Sequence, residues 1–153
     1  MITSQLRRSI ERARWFHAVD FGGGLVSKGR LGPGVPPNYT LYGVLELMAG
    51  LELEGASVVD VGTMDGIVAF GAKARGAARV IATDLARRET FEAGRAYLGL
   101  DIDYRVPVQA LDLPSVLGDE KADVIVMAGV LYHVLDPIAV LSRRASRSHA
   151  RGS

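Results

Sequence analysis

The sequence predicts an α/β protein in which a parallel sheet is covered by helices on both faces. Three observations carry this prediction. From Ser57 onward, short apolar strand-like runs alternate with helical patterns. The first of these strands, Ser57-Val-Val-Asp-Val61, runs through Gly62 to Gly66 and then into a helix, a strand–turn–helix suited to close approach of a ligand. The composition, 153 residues with 48% hydrophobic side chains and no cysteine, suits one core without disulfides, thiolate chemistry or Cys-based zinc sites.

Taken in order, Leu6, Ile10, Ala13 and then Trp15 or His17 recur at helical spacing, with Ser4 as the cap, and predict a helix over residues 3–17. The stretch from Asp20 to Pro37 is crowded with glycine and proline, but Phe21, Leu25, Val26 and Leu31 are interspersed, so a packed loop or short hairpin is expected. Asn38 caps a helix to about Gly50, with Leu41, Leu45 and Met48 in one stripe. Strands follow at Ser57–Val61, Arg79–Thr83, Ile102–Gln109 and Asp123–Ala128. The helices between and after them are expected at Ile67–Arg75, Ala86–Leu98, Pro114–Leu117 and Pro137 to about Arg144. Beyond Leu141 no apolar residue is larger than Ala, so residues 142–153 read as a basic disordered tail.

The formal net charge of +1 conceals an uneven distribution. Residues 1–15 carry +3 and residues 138–153 carry +4, whereas residues 16–137 hold 10 bases against 16 acids. Terminal arginines of this kind contact nucleic acid phosphates or simply form a solvated face and a frayed end. The apolar stretch Val124 to Leu135 is about half the length of a membrane-spanning helix and carries His133. Arg7, Arg8, Arg12 and Arg14 interrupt any secretory signal, so the expectation is a cytoplasmic protein without a membrane segment. No His/Asp/Glu spacing resembles a metal site.

The chemistry is concentrated in Val58-Val-Asp-Val-Gly-Thr-Met-Asp-Gly66 and in Asp84, which closes the second strand 18 residues after Gly66. An acid at that place accepts hydrogen bonds from ribose hydroxyls. The loop lacks the glycine spacing of a pyrophosphate site, and Asp60 and Asp65 would repel one, which argues against a nicotinamide-dependent reductase. Acids there suit the cationic end of S-adenosylmethionine, with Asp60 shaping the pocket. The alternative is a strand–turn–helix with only a structural role.

On these residues the chain resembles the class I S-adenosylmethionine-dependent methyltransferases. Asp60-Val-Gly-Thr-Met-Asp-Gly66 is similar to their first motif, Ala82-Thr-Asp84 to the acidic end of their second strand, Ala110-Leu-Asp-Leu113 to their adenine-facing segment, and Asp123 to His133 to their fourth strand and its exit. Trp15-Phe-His17 and Asp20-Phe-Gly-Gly-Gly24 ahead of that core resemble a subgroup related to the tRNA uridine carboxymethyltransferases. The resemblance implies a Rossmann-like methyltransferase fold. It places Gly62, Thr63 and Gly66 against the methionine moiety, Asp84 on the ribose, Asp112 on the adenine amino group, and Ala128 with Gly129 beside the transferring methyl. It further implies an acceptor, small molecule or tRNA, and a donor that is S-adenosylmethionine or its carboxylated form. His133, with Tyr132, is the candidate catalytic or acceptor-contacting group, the other reading being a structural helix cap. Trp15 and His17 are either a lid over the site or an anchor for the N-terminal helix.

Two departures matter. Met64 stands where the commoner motif has glycine, so its side chain either packs on the cofactor or narrows the site. The family's seven-stranded sheet would continue past residue 141, whereas this sequence turns to Arg and Ser. The expectation is therefore residues 1–54 as an N-terminal extension, residues 55–141 as a partial core with strand order 3-2-1-4, and residues 142–153 as tail. The apolar edge at residues 123–128 would then be covered by a homodimer or a partner chain. The functional alternative to an active methyltransferase is a truncated, inactive relative that binds the cofactor or a partner.

Overall fold

Short β-branched runs form the strands, and their burial on both faces makes a central parallel sheet the stable arrangement. A computed structural model gives the fold and describes residues 2–30 and 36–148. Its elements are α1 (Ile2–Arg12), α2 (Pro36–Met48), β1 (Ser57–Val61), α3 (Ile67–Ala74), β2 (Arg79–Thr83), α4 (Glu89–Leu98), β3 (Asp103–Arg105), α5 (Leu113–Leu117), β4 (Val124–Val126) and α6 (Pro137–Ser148). Single 3₁₀ turns occupy Ala110–Asp112 and Leu131–His133. The four strands are parallel in the order β3-β2-β1-β4, as predicted. In this order β1 sends one crossover towards β2 and β3, and β4 returns on its other side. The carboxyl end of β1 is thus the switch point where open α/β sheets take their ligands.

Side-chain alternation divides the core. Val58, Val80 and Ala82 join Ile10, Trp15, Phe21, Leu53, Phe70 and Phe91 in the larger cluster, on the face that carries α3 and α4. Val59, Val61 and Ile81 form the smaller cluster with Leu113 and Leu117. Phe91 is fully buried, with ring centroids 5.4 Å from Phe70 and 4.1 Å from Tyr104. Among the described residues, β4 is an edge of the sheet with half-buried side chains, and Leu135, Ile138 and Leu141 beyond it are exposed. No helix among the described residues is long and apolar enough to cross a membrane.

Several boundaries differ from the sequence expectation, each for a local reason. Helix α1 stops at Arg12 because the following amides are taken by tertiary partners: those of Phe16 and His17 donate to Asp65. Ser4 lies inside that helix. The glycine-rich segment does form a small hairpin, with an antiparallel bridge between Asp20 and Val26 and the Phe21 N–H donating to the Leu25 carbonyl at 2.9 Å. Helix α2 begins at Pro36, ahead of Asn38, whose side chain lies outside the described residues. Helix α4 starts at Glu89, not Ala86, because Asp84 Oδ1 draws the Leu85 and Ala86 amides into a turn. Strand β3 ends at Arg105, just before Pro107, which has no N–H for the ladder. Helix α6 continues to Ser148 where a disordered tail is expected from residue 142, since Arg and Ala favour helix and nothing breaks it until Gly152. Residues 149–153 lie outside the described residues.

The closed aromatic stack makes a direct test of this packing. Phe91→Ala is expected to lower the unfolding free energy by about 3–5 kcal/mol in urea titrations. A loss below about 1 kcal/mol would mean that the stack is not a close-packed part of the core.

Candidate functional site

The turn after β1 is built on the end of β2. The Gly62 and Thr63 amides both donate to the Thr83 carbonyl, at 2.8 and 2.9 Å, and the Gly66 amide closes back on the Thr63 carbonyl at 2.8 Å. Gly62 has φ 73°, and a Cβ there would meet Val130 Cγ2 at 2.6 Å, so this glycine lets the β4 exit segment close on the loop. Gly66 has φ 93°, and a Cβ would strike the Phe70 ring at 2.4 Å. Its requirement is therefore the packing of α3 as much as access for a ligand. Met64 adopts φ 49°, a left-handed conformation unusual for a residue with a side chain. Its amide donates to Asp84 Oδ2 at 2.9 Å, and its side chain lines a cleft beside the loop.

Asp65 is the buried tie of the site. Its Oδ2 accepts the Phe16 amide at 2.9 Å, the His17 amide at 2.7 Å and His17 Nδ1 at 3.1 Å, while Oδ1 accepts the Thr90 hydroxyl at 2.6 Å. Burial pushes this carboxyl up, but the hydrogen bonds from His17 and Thr90 outweigh it and hold the group below the usual carboxylate range. An ionised carboxylate only accepts, so His17 Nδ1 carries the proton. His17 is therefore locked to the loop and buried. Trp15 is buried too, its indole N–H donating to the Ile10 carbonyl at 2.8 Å and its ring edge-on to Phe21. It anchors α1 to the core and does not reach over the site as a lid. Sequence reasoning missed Asp65 as a tie because its partners lie 48 and 25 residues away, beyond any local spacing.

Asp60 behaves oppositely. It is 2% exposed, lies under the first turns of α3, and its Oδ2 accepts the Ala69 amide at 3.2 Å. Burial pushes its carboxyl up to about 6, with the Asp84 charge adding to the effect and the Thr63 hydroxyl and Ala69 amide opposing it. Asp60 thus supports the loop from below and does not open into a pocket. The buried Thr63 hydroxyl is close enough to favour the Asp60 carboxylate but makes no hydrogen bond of good geometry among the described residues. Asp84, also buried, accepts Met64 on Oδ2 and Leu85 and Ala86 on Oδ1, with an Arg88 amino group 3.5 Å from Oδ1.

On the opposite rim, Asp112 is exposed within the 3₁₀ turn at Ala110–Asp112. That segment is brought back to β2 by the Val108 amide, which donates to the Asp84 carbonyl at 2.8 Å. Ala128 is half-buried against the larger core and Gly129 is exposed. Tyr132 is 77% exposed, and its hydroxyl stands 3.0 Å from where a Cβ on Gly129 would sit. Its ring lies 4.3 Å from that of exposed His133. The His133 amide donates to the Val130 carbonyl, so the pair sits on the 3₁₀ turn whose Val130 covers Gly62.

Two outcomes follow from the carboxylates. Asp65→Ala strips the acceptor from three amide or ring N–H groups and one hydroxyl, and is expected to cost on the order of 3 kcal/mol. Hydrogen exchange at Phe16 and His17 should rise with it, and unchanged protection at these two amides would refute the tie. For Asp60, the folded chain holds a proton between the ordinary value of 3.8 and about 6 that the unfolded chain releases. Its contribution to stability therefore falls as pH rises through that window and is level above it. Asp60→Asn should gain on the order of 2 kcal/mol relative to the parent between pH 4 and pH 7. A difference independent of pH would sink this assignment.

Comparison with known proteins gives the family and the fold. Residues 38–152 match a family model described as a methyltransferase domain. The crystal structure of EvdMO1 is similar with a TM-score of 0.62 and 20% identity, covering 94% of this chain and 32% of that one. The N-terminal domain of EvdMO1 with SAH bound is similar with a TM-score of 0.60 and 20% identity, covering 94% of this chain and 60% of that one. At this identity the likeness shows the fold, and the chain spans only part of each of these structures. No curated protein matches the chain in sequence. With the family model spanning most of its length, the chain belongs to the methyltransferase domain family.

Proposed function

We propose that the chain binds S-adenosylmethionine at the carboxyl ends of β1 and β2 and transfers the methyl group to an acceptor beside Tyr132 and His133. The observation that carries this reading is the Gly62–Gly66 turn, pinned to the Thr83 carbonyl with Asp84 at its side and at the switch point of the sheet. The residues fit such a ligand. The Thr63 hydroxyl makes no hydrogen bond among the described residues, and Asp112 stands exposed on the rim. Asp84 Oδ2, which accepts only the Met64 amide, retains a lone pair for a ribose hydroxyl. The bound SAH of the EvdMO1 N-terminal domain supports the same ligand class here.

The donor supplies a carbon activated by a positively charged sulfur. The acceptor atom forms a bond to that carbon as the carbon–sulfur bond breaks, the bonding pair leaves with sulfur as a neutral thioether, and the acceptor's proton goes to a base or to water. Little is asked of the protein beyond alignment and exclusion of water. His133 is exposed on the β4 exit turn, where a side chain can take up that proton, and the Tyr132 ring beside it orients the acceptor. The acceptor is a small molecule or tRNA, and the donor carries a methyl or, in the carboxylated form, a carboxymethyl group.

Isothermal titration with S-adenosylhomocysteine tests the binding step. Saturable binding is expected, weakened about 10–100-fold by Asp84→Asn, as loss of a charged hydrogen bond to a ribose hydroxyl requires. No heat at millimolar ligand would overturn the proposal. Radiolabel transfer from either donor to small-molecule and tRNA fractions then identifies the group and the acceptor class. Saturable binding without transfer to any fraction would favour a cofactor-binding protein over an enzyme.

A further inference from the structure

The cleft beside the loop is unlike the rest of the acidic body. Four arginines converge on it, Arg12 and Arg14 from the end of α1 and Arg87 and Arg88 from the turn before α4, around an open volume of about 430 Å³. Phe16 and Met64 supply an apolar wall. Arg87 is paired with Glu92, and Arg88 lies 3.5 Å from Asp84. Arg12 and Arg14 have no acidic partner among the described residues and are exposed. The acids lining the cleft are Asp65, already committed to four hydrogen bonds, and Glu89 at the edge. Two of the lining guanidiniums, those of Arg12 and Arg14, are thus left without a counter-charge, and Arg88 has a buried Nε without a partner. The start of α4 adds the positive end of a helix dipole.

We infer that this cleft binds the phosphate of a small phosphate monoester. A dianion matches the two unpaired charges of Arg12 and Arg14, and guanidinium forks match its oxygens. A single carboxylate would leave half of that charge unmet. An extended polyanion fits less well, because the arginines meet in one cleft and the chain around it, residues 16–137, holds 16 acids against 10 bases. The wall of Phe16 and Met64 suits the sugar or ring that bears the phosphate. Met64 and Arg88 also contact Asp84, so the cleft adjoins the proposed donor site, and Arg12 and Arg14 enter the cleft from the α1 side. The inference does not depend on methyl transfer.

The test is a titration of the arginine Nε–H resonances with inorganic phosphate and with ribose 5-phosphate, at constant ionic strength and without donor. Saturable shifts at Arg12, Arg14 and Arg88 are expected, with Arg95 and Arg105 still. The double variant Arg12→Gln with Arg14→Gln should weaken binding about tenfold or more while its melting curve and its affinity for S-adenosylhomocysteine stay unchanged. Shifts that chloride reproduces, or that spread equally to Arg95 and Arg105, would overturn the site. A single-stranded oligonucleotide that binds more tightly per phosphate than ribose 5-phosphate would place a nucleic acid backbone there instead and refute the monoester. Displacement of phosphate by S-adenosylhomocysteine would make the arginines part of the donor site and equally refute it.

Discussion

The buried Asp65 carboxylate ties together three pieces of chain that also meet in the larger apolar core. Its two oxygens take the segment after α1, through Phe16 and His17, and the first turn of α4, through Thr90, while the residue itself sits in the turn after β1. The segment after α1 leaves the Phe16 and His17 amides outside the helix, and the start of α4 presents the buried Thr90 hydroxyl; such donors are costly to bury without a partner. One ionised acceptor satisfies them together. That the group stays ionised follows from the count of donors aimed at it, which outweighs its desolvation.

Asp60 shows what the same residue type does with fewer donors. It lies in the same turn region, more deeply buried, with a single backbone amide at 3.2 Å, and its carboxyl is pushed up where that of Asp65 is held down. Both acids were expected to colour the loop surface with negative charge. In the fold neither does, since one is shielded under α3 and the other is spent on internal hydrogen bonds. The electrostatics offered to a ligand at the loop therefore come from Asp84 on one side and from arginines on the other. The sign of the rim cannot be read from the acids in the motif.

The parts of this architecture legible in the sequence are those encoded locally. β1, α3 and β2 fall within a residue of expectation, because strand runs bounded by Gly62, Gly66 and Gly76 have one register that buries them, and the order β3-β2-β1-β4 follows from the family pattern. The start of α4 was misplaced because the side chain of Asp84 competes for the amides that would begin the helix. Trp15 and His17 were legible as important but not in role. Trp15 turns inward to the Ile10 carbonyl and His17 to Asp65, choices made by partners distant in sequence. Tyr132 and His133 stand exposed at the β4 exit.

The N-terminal arginines complete the argument. By sequence they belong to a basic end that is most simply a solvated helix face, and Arg7 does pair with Glu11 along α1 in that way. Arg12 and Arg14 differ because the chain leaves the helix immediately after Arg12 to reach Asp65, and this turn carries them across to Arg87 and Arg88. The Thr90 hydroxyl on the other oxygen of Asp65 fixes the α4 side of the same cleft. Glu92 and Asp84 meet the charges of Arg87 and Arg88 there, whereas those of Arg12 and Arg14 are left for an entering anion. A single buried carboxylate, by choosing its donors, sets both the shape of the loop and the charge beside it.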